Sequence, residues 1–237
     1  MWITDTPIAH RGLHNGTRIP ENSLAAFEAA AAAGYAIELD VRLLADGVVA
    51  VFHDSDLLRL TGQGGVVETF SSARLAHLRL YDTDQRIPLL REVLELVGQR
   101  VPLLVETKVA GSIGALEPGT LKALVESKCQ YAVQSFSPQS MEWFATNAPQ
   151  AVRGQLDSEI GAPPGTDPRR DARLEQMLAI SRPHFVAYDI RCLPSPHVER
   201  HRRRLNIPLL AWTIRTPGQL ADARRLADNI IFESIRP

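Results

Sequence analysis

Three observations predict an α/β fold of the (β/α)8 barrel class. Apolar runs of strand length alternate with helical patterns along the whole chain. Eight such runs can be distinguished, whereas an open doubly wound sheet more often needs about five or six strands. The length of 237 residues also suits one barrel domain. We therefore predict a single barrel domain over residues 1–237, with two smaller domains as the alternative.

The eight strand candidates are short apolar or β-branched segments. In chain order they are PIAH (7–10), AIELDV (36–41), PLLVETK (102–108), YAVQSF (131–136), VRGQL (152–156), HFVAYDI (184–190), PLLAWTI (208–214) and NIIFES (229–234). Helical patterns fill the intervals at residues 22–33, 88–98, 117–127, 138–147, 171–181, 196–205 and 217–227. Asn22 is the candidate N-cap of the first helix and Gly34 its candidate stop, because these residue types favour helix ends.

A ninth extended segment, VVAVFHD at 48–54, follows the turn signal Asp46-Gly47. We expect a hairpin-like excursion after the second strand, and the alternative is that this segment is itself barrel strand 3. Residues 55–87 would then form a short insertion between strand and helix. The run Gly62 to Gly65 lacks the lysine of a phosphate loop, so it is expected to form a flexible turn.

The charge balance gives no general attraction for nucleic acid, because 26 basic residues face 27 acidic ones. We therefore expect a small-molecule partner. No leader pattern precedes the first strand and no apolar run approaches about 18 residues, which predicts a cytoplasmic protein without a stable membrane anchor. Cys129 and Cys192 form no Cys-x-x-Cys pair and are expected to be small buried side chains. No oligomeric state is predicted.

Carboxylates collect at the strand ends, where barrel enzymes carry their active sites. Glu38 and Asp40 are two residues apart on one strand and share a face. Glu106 has the matching parity on the next strand. Oxygen ligands suit Mg²⁺ or Ca²⁺ as a cofactor, and such a cation would offset the mutual repulsion. The alternative is a pair of structural ion pairs, Glu38 with Lys108 and Asp40 with Arg11.

Two histidines, His10 and His53, end extended segments near these acids and are candidate proton-transfer residues. Arg11 and Lys108 supply cations for an anionic group, and phosphate matches the fork of the arginine side chain. A metal site, two cations and two acid/base groups together indicate phosphate-ester chemistry.

Seven motifs occur along the chain in a fixed order. They are HRG (10–12), PENS (20–23), ELDV (38–41), DGVVAVFHD (46–54), ETK (106–108), SF (135–136) and AWT (211–213). This ordered set resembles the glycerophosphodiester phosphodiesterase family. The resemblance implies a TIM barrel that hydrolyses glycerophosphodiesters to glycerol 3-phosphate and an alcohol, through a cyclic phosphate that water then opens.

The resemblance also implies roles for individual residues. The metal ligands would be Glu38, Asp40 and Glu106, the catalytic histidines His10 and His53, and the phosphate contacts Arg11 and Lys108. Phe136 and Trp212 are expected to line the substrate pocket.

Two positions depart from the family pattern, since Arg215 stands where asparagine is common and Glu233-Ser234 where Thr-Asp is usual. They concern substrate identity more than reaction class. A lysophospholipase D acting on lysophospholipids is the alternative function, and a non-catalytic barrel that binds phosphorylated ligands is a third.

Overall fold

The computed structural model describes residues 1–159 and 168–237. Its helices are α1 (Trp2–Asp5), α2 (Leu24–Ala32), α3 (Leu58–Thr61), α4 (Ser72–Leu75), α5 (Leu90–Val97), α6 (Glu117–Ser127), α7 (Pro138–Asn147), α8 (Pro168–Ser181), α9 (Pro196–Leu205) and α10 (Pro217–Leu226). Its strands are β1 (Ile8–Ala9), β2 (Ala36–Leu43), β3 (Val49–Val51), β4 (Leu103–Thr107), β5 (Tyr131–Ser135), β6 (Val152–Asp157), β7 (Phe185–Asp189), β8 (Leu209–Ile214) and β9 (Asn229–Phe232).

The chain divides into two compact units. The first unit is Ile8–Tyr131, and the second unit is Met1–Pro7 with Ala132–Pro237. The single domain expected over residues 1–237 stays a prediction.

Strand β2 is the centre of the first unit. It pairs in parallel with β1 and β4 and antiparallel with β3. The segment after Asp46-Gly47 is therefore a hairpin excursion, as predicted, and its assignment as barrel strand 3 is wrong. In the β2–β4 register Asp40 lies opposite Glu106, so the two carboxylates leave neighbouring strands at one level.

Both faces of β2 are buried. Ile37, Leu39 and Val41 have no exposed surface, and Glu38 and Asp40 are 1% and 0% exposed. Alternation along a strand places the apolar residues on one face and the two acids on the other. Because buried charges are costly unless they are compensated, the acid face must meet cations or carry protons.

The predicted insertion at residues 55–87 has structure of its own. It contains α3, a 3₁₀ turn at Val67–Thr69, and α4. Its side chains form an apolar cluster with the end of the hairpin, made of Leu44, Ala50, Phe52, Leu57, Leu60, Val67, Phe70, Leu75, Leu80 and Ile87. Gly62 ends α3 with a left-handed φ of 70°. The glycine run is therefore partly a helix stop.

The N-terminus of α2 differs from the prediction. Ser23, not Asn22, is the N-cap, since its hydroxyl accepts a hydrogen bond from the Ala26 amide. Asn22 instead has a left-handed φ of 54° and is buried. Gly34, with φ 76°, directly follows the C-cap Ala33, so the predicted stop is confirmed.

The second unit consists of parallel strands from β5 to β9, paired in chain order. Helices α7, α8, α9 and α10 alternate with them. The predicted elements are present to within a few residues, and helix α8 begins at Pro168 rather than at residue 171. The short α1 was not predicted. Over the described residues, eight parallel strands alternate with helices, which confirms the (β/α)8 fold class.

Cys129 is buried, as predicted, but Cys192 is partly exposed, and both are free thiols. None of the helices in the described part of the chain combines the length and the hydrophobicity needed to cross a bilayer.

Candidate active site

The turn after β1 carries His10, Arg11 and Gly12. Arg11 and Gly12 both have left-handed φ values, of 56° and 79°. A Cβ on Gly12 would lie 2.7 Å from the backbone carbonyl carbon of Ala26, so only glycine permits this approach to α2. A left-handed conformation costs a non-glycine residue on the order of 1 to 2 kcal/mol. The local sequence therefore bends the chain sharply where it presents His10 and Arg11.

The three predicted metal ligands lie together. The ligand oxygens of Glu38, Asp40 and Glu106 are all within 4.8 Å of one another, and the three residues are buried. The Arg11 amide donates to Glu38 Oε2 over 3.0 Å. Glu38 Oε1 and Asp40 Oδ1 are buried without a hydrogen-bond partner, although Lys108 Nζ is 3.1 Å from Asp40 Oδ1. A set of oxygen donors with unsatisfied lone pairs fits a hard divalent cation.

Two cations contact this cluster. Arg11 Nε lies 3.3 Å from Asp40 Oδ2, and Lys108 Nζ contacts both Asp40 and Glu106. Of the two structural ion pairs considered as the alternative, the contact between Asp40 and Arg11 is present. Lys108 contacts Asp40 and Glu106 instead of pairing with Glu38. The two cations are shared among three acids, which leaves the cluster short of positive charge.

The pKa values reflect this shortage. Burial and the neighbouring Asp40 and Glu106 hold the pKa of Glu38 well above its usual range. Burial raises the pKa of Glu106 to about 7, against the pull of Lys108. Burial would also raise the pKa of Asp40, but Lys108 and Arg11 outweigh it and hold that pKa well below its usual range. The three acids do not all ionise readily without further positive charge.

Lys108 and Arg11 remain charged. Burial alone would lower the pKa of Lys108, but Asp40 and Glu106 raise it to about 12. Asp40 and Glu21 likewise raise the pKa of Arg11 against the effect of burial. Both side chains are therefore cationic at any physiological pH.

His53 follows the hairpin and is held at both its backbone and its ring. Its Nδ1 lies 2.7 Å from Asp54 Oδ1. Arg42, on β2, donates from Nε and Nη2 to the His53 carbonyl oxygen over 3.0 and 2.7 Å. Burial lowers the pKa of His53, with help from Lys108 and Arg11, and this outweighs the opposite effect of Asp40 and Asp54. The ring is therefore held neutral near neutral pH, with one nitrogen engaged by Asp54.

The structure also brings His10 to this cluster. Both His10 and His53 interact electrostatically with Asp40 and lower its pKa. The two predicted acid/base residues, the two cations and the other two acids therefore lie around the Asp40 carboxylate within the first unit.

Phe136 and Trp212 lie in the second unit and contact each other. Their ring centroids are 5.7 Å apart in an edge-to-face arrangement. Phe136 is 44% exposed, and the Trp212 Nε1 atom is buried without a hydrogen-bond partner. In the same unit Arg215 Nη2 lies 3.1 Å from Glu233 Oε2, so the two departures from the family pattern form an ion pair.

Four further residues support the site and were not predicted from the sequence to do so: Glu21, Asn22, Arg42 and Asp54. The Asn22 amide donates to Asp40 Oδ2 over 2.8 Å, and Glu21 Oε1 accepts from Arg11 Nη1 over 2.6 Å. Glu21 and Asn22 belong to the PENS motif and Asp54 follows His53, so motif membership could have indicated them. Nothing in the sequence indicated Arg42.

Comparison with known proteins identifies the family of this chain. Residues 10–231 match the glycerophosphoryl diester phosphodiesterase family. A glycerophosphodiester phosphodiesterase of Bacillus altitudinis is 41% identical over 112 residues, which cover 44% of this chain and 45% of that protein. One from Caldanaerobacter subterraneus is 33% identical over 165 residues, 63% of this chain and 65% of that protein. The matched stretches thus span less than two thirds of these relatives.

Solved structures show the same fold. An Oleispira antarctica phosphodiesterase, solved with the product sn-glycerol-3-phosphate, has a TM-score of 0.81 at 22% identity and covers 98% of this chain and 94% of its own. A glycerophosphodiester phosphodiesterase of Thermotoga maritima has a TM-score of 0.71 at 27% identity, covering 96% and 94%. With the sequence match spanning almost all of the barrel, the chain belongs to the glycerophosphoryl diester phosphodiesterase family.

Proposed function

We propose that this chain is a metal-dependent phosphodiesterase that hydrolyses a glycerophosphodiester to glycerol 3-phosphate and an alcohol. The observation that carries the proposal is the grouping of two histidines and two cations with the three buried carboxylates Glu38, Asp40 and Glu106. Family membership supports it, and so does the glycerol 3-phosphate found in the Oleispira relative.

The metal ligands in this proposal are Glu38, Asp40 and Glu106, and the ion is Mg²⁺ or Ca²⁺. The unsatisfied oxygens of Glu38 and Asp40 support this assignment. When bound, a divalent cation supplies charge stabilisation to a phosphoryl oxygen. The raised pKa values of Glu38 and Glu106 also support it, because added positive charge would favour the ionised carboxylates.

The two protein cations orient the substrate. Arg11 and Lys108 are each about one sixth exposed, with side-chain exposures of 15%, so they are charged donors at the edge of the cluster. The phosphate group is bound by these two side chains, because charged N–H donors form strong hydrogen bonds with phosphate oxygens. This contact holds phosphorus within reach of His10 and His53.

The histidines move the protons. A hydroxyl of the glycerol group attacks phosphorus and gives its proton to one histidine, while the P–O bond to the alcohol breaks. The other histidine protonates the departing alkoxide. The resulting cyclic phosphate is then opened by water, with the two histidines in exchanged roles. The lowered pKa of His53 supports a neutral imidazole able to accept a proton.

The substrate in this proposal is a glycerophosphodiester rather than the alternative lysophospholipid, which the family match does not favour. Phe136 and Trp212 are proposed to contact the alcohol.

The remaining expectations stand with this proposal: a small-molecule partner, no nucleic acid, no stable membrane anchor and a cytoplasmic location. A silent phosphate-binding barrel is the less favoured reading, since the acids, the cations and both histidines are all present around Asp40.

The test uses phosphorus NMR to follow glycerophosphocholine, glycerophosphoethanolamine and a lysophosphatidylcholine, each with Mg²⁺, Ca²⁺ or chelator. We expect glycerol 3-phosphate from the first two substrates, dependent on the metal. The His53→Ala variant, purified in parallel, controls for contaminating enzymes. Hydrolysis of the lysophospholipid alone would establish the alternative, and turnover unaffected by exhaustive chelation would contradict the metal assignment.

A further inference from the structure

One arginine of the insertion joins two acids next to the proposed catalytic groups. Arg59, on α3, places Nη1 2.9 Å from Glu21 Oε2 and Nη2 2.7 Å from Glu21 Oε1. The same guanidinium places Nε 2.5 Å from Asp54 Oδ2 and Nη2 3.0 Å from Asp54 Oδ1. Each carboxylate is thus held by two donors, in the forked geometry that only arginine provides.

Each of these two acids also contacts a different functional residue. Asp54 Oδ1 lies 2.7 Å from His53 Nδ1, and Glu21 Oε1 accepts from Arg11 Nη1 over 2.6 Å. Arg59 is therefore connected through one carboxylate to the imidazole of His53 and through the other to the guanidinium of Arg11. Arg59 is itself 44% exposed, and its contacts with the site run through these two acids.

We propose that Arg59 is a positioning residue that fixes His53 through Asp54 and Arg11 through Glu21. The inference rests on the proposed function, which gives His53 and Arg11 their roles. Arg59 aligns the ring that transfers a proton and the guanidinium that binds phosphate. Because Arg59 belongs to α3, both groups are positioned only when the insertion is folded.

The charges explain why a cation is needed here. Burial alone would raise the pKa of Asp54, but the hydrogen bonds from Arg59 and His53 lower it to about 2. Burial would likewise raise the pKa of Glu21, and Arg59 and Arg11 reverse that effect. An ionised Asp54 accepts from the Nδ1–H of His53, which leaves Nε2 as the nitrogen available for proton transfer.

The backbone of Arg59 is fixed by its neighbours. Leu57 and Leu60, on either side, are 0% and 1% exposed and belong to the apolar cluster of the insertion. The guanidinium therefore projects from a packed turn rather than from a loose loop. A side chain held in this way loses less entropy when it bridges two acids.

The test compares Arg59→Ala and Arg59→Lys with a matched control, Arg79→Ala. Arg79 lies in the same insertion, is exposed, and donates to the carbonyl oxygens of Ala76 and Leu78. For Arg59→Ala we expect kcat/KM for glycerophosphocholine to fall about 10- to 100-fold, the usual range for residues that orient a ligand or catalytic group. Arg79→Ala should stay within twofold of the unmodified chain.

The contact through Asp54 to His53 should affect mainly kcat, and the contact through Glu21 to Arg11 mainly KM. Asp54→Asn should lower mainly kcat and Glu21→Gln should raise mainly KM, whereas Arg59→Ala should do both. Lysine reaches only one acid at a time, so Arg59→Lys should recover only one of the two parameters. Added guanidinium ion should partly restore Arg59→Ala. A kcat and a KM of Arg59→Ala both within twofold of the unmodified chain would overturn the proposal.

A second readout separates this proposal from the proposed function. Side-chain NMR of His53, which faces Asp40, Lys108, Arg11 and Asp54, reports its tautomer without any substrate. We expect the tautomer balance to shift in Arg59→Ala and not in Arg79→Ala. If the chain hydrolyses no tested diester, a shifted tautomer still supports the positioning role, and an unchanged one overturns it. If Arg59→Ala does not fold, the same NMR measurement is made on the milder variant Arg59→Gln.

Discussion

Acids at the strand ends have different cationic partners in the two units. In the second unit each has its own arginine: Asp157 with Arg173 at 3.0 Å, Asp189 with Arg191 at 2.6 Å, and Glu233 with Arg215 at 3.1 Å. In the first unit Glu38, Asp40 and Glu106 share only Arg11 and Lys108. In the second unit the acids and arginines pair one to one, whereas the first unit keeps buried carboxylate oxygens without hydrogen-bond partners.

The difference shows how to distinguish structural from functional acids at equivalent places in one fold. The arginine partners in the second unit are about half exposed, with side-chain exposures of 57%, 59% and 49%, although Asp157 and Asp189 themselves are buried. Solvent therefore screens the cationic end of each pair. The three acids of the first unit lie together and share two buried cations, which is unfavourable for stability and typical of a ligand site.

The largest effect should come from the proton-transfer residues of the first unit. His10→Ala and His53→Ala should each lower kcat by about 10²- to 10⁴-fold, the usual contribution of a general acid or base. Steady-state kinetics with glycerophosphocholine measure this effect. His77→Ala, at an exposed position of the insertion, is the control and should match the unmodified chain. Full activity in either active-site variant would remove that histidine from the mechanism.

Removing the metal or one ligand should cost about 10³-fold in rate, because charge stabilisation of several kcal/mol corresponds to about that factor. Exhaustive chelation tests the ion and Glu38→Gln tests the site. Titration calorimetry should show Mg²⁺ or Ca²⁺ binding to the unmodified chain and weaker binding to Glu38→Gln. Equal affinities would place the ion elsewhere.

Asn22 should have an intermediate effect. Its amide orients Asp40 through the 2.8 Å hydrogen bond, and residues of this kind contribute about 10- to 100-fold to metal affinity or activity. Asn22→Gly removes the amide but tolerates the φ of 54°. Any loss therefore reports the hydrogen bond rather than backbone strain. Unchanged metal affinity and rate would show that Asp40 needs no such support.

An acid of the second unit should behave in the opposite way. Asp189 accepts from the Arg191 amide and caps the 3₁₀ turn at Ile190–Cys192. Asp189→Ala should lower the free energy of unfolding by about 1 to 2 kcal/mol and leave metal affinity within twofold. Denaturant unfolding and calorimetry measure the two quantities. A large loss of metal affinity in Asp189→Ala would show that this acid is not purely structural.

The smallest effect is a slope of stability with pH. The folded pKa of Glu106 is about 7, above the ordinary 4.5, so the metal-free folded state binds more protons than the unfolded state between these values. Stability contributed by Glu106 should therefore fall as pH rises from about 4.5 to 7. Over the same window metal affinity should rise, because a ligand carboxylate must lose its proton.

Thermal unfolding with and without Mg²⁺ between pH 5 and 8 measures this slope. Other groups titrate in the same window, so the quantity to compare is the difference between the unmodified chain and Glu106→Gln. The metal-free unmodified chain should lose stability relative to Glu106→Gln as pH rises. A difference that stays constant across the window would mean that Glu106 ionises normally.

Much of the fold and site was predictable because it depends on local pattern. Strand and helix periodicity identified β2 and the hairpin after Asp46-Gly47, and residue parity predicted that Glu38, Asp40 and Glu106 converge. One error arose where a side chain had two possible partners. Asn22 could cap α2 or hydrogen-bond Asp40, and the second contact, 18 residues away, prevailed.

The sequence alone determined which side chains lie at the strand ends, because alternation along a strand and parallel pairing need no knowledge of distant contacts. Only the tertiary structure decided how their charges are balanced. The cations shared around Asp40, the hydrogen bonds from Arg42 to His53, and the bridge of Arg59 from Glu21 to Asp54 join residues up to 68 positions apart. Electrostatic free energy depends on distance and burial, and folding sets both.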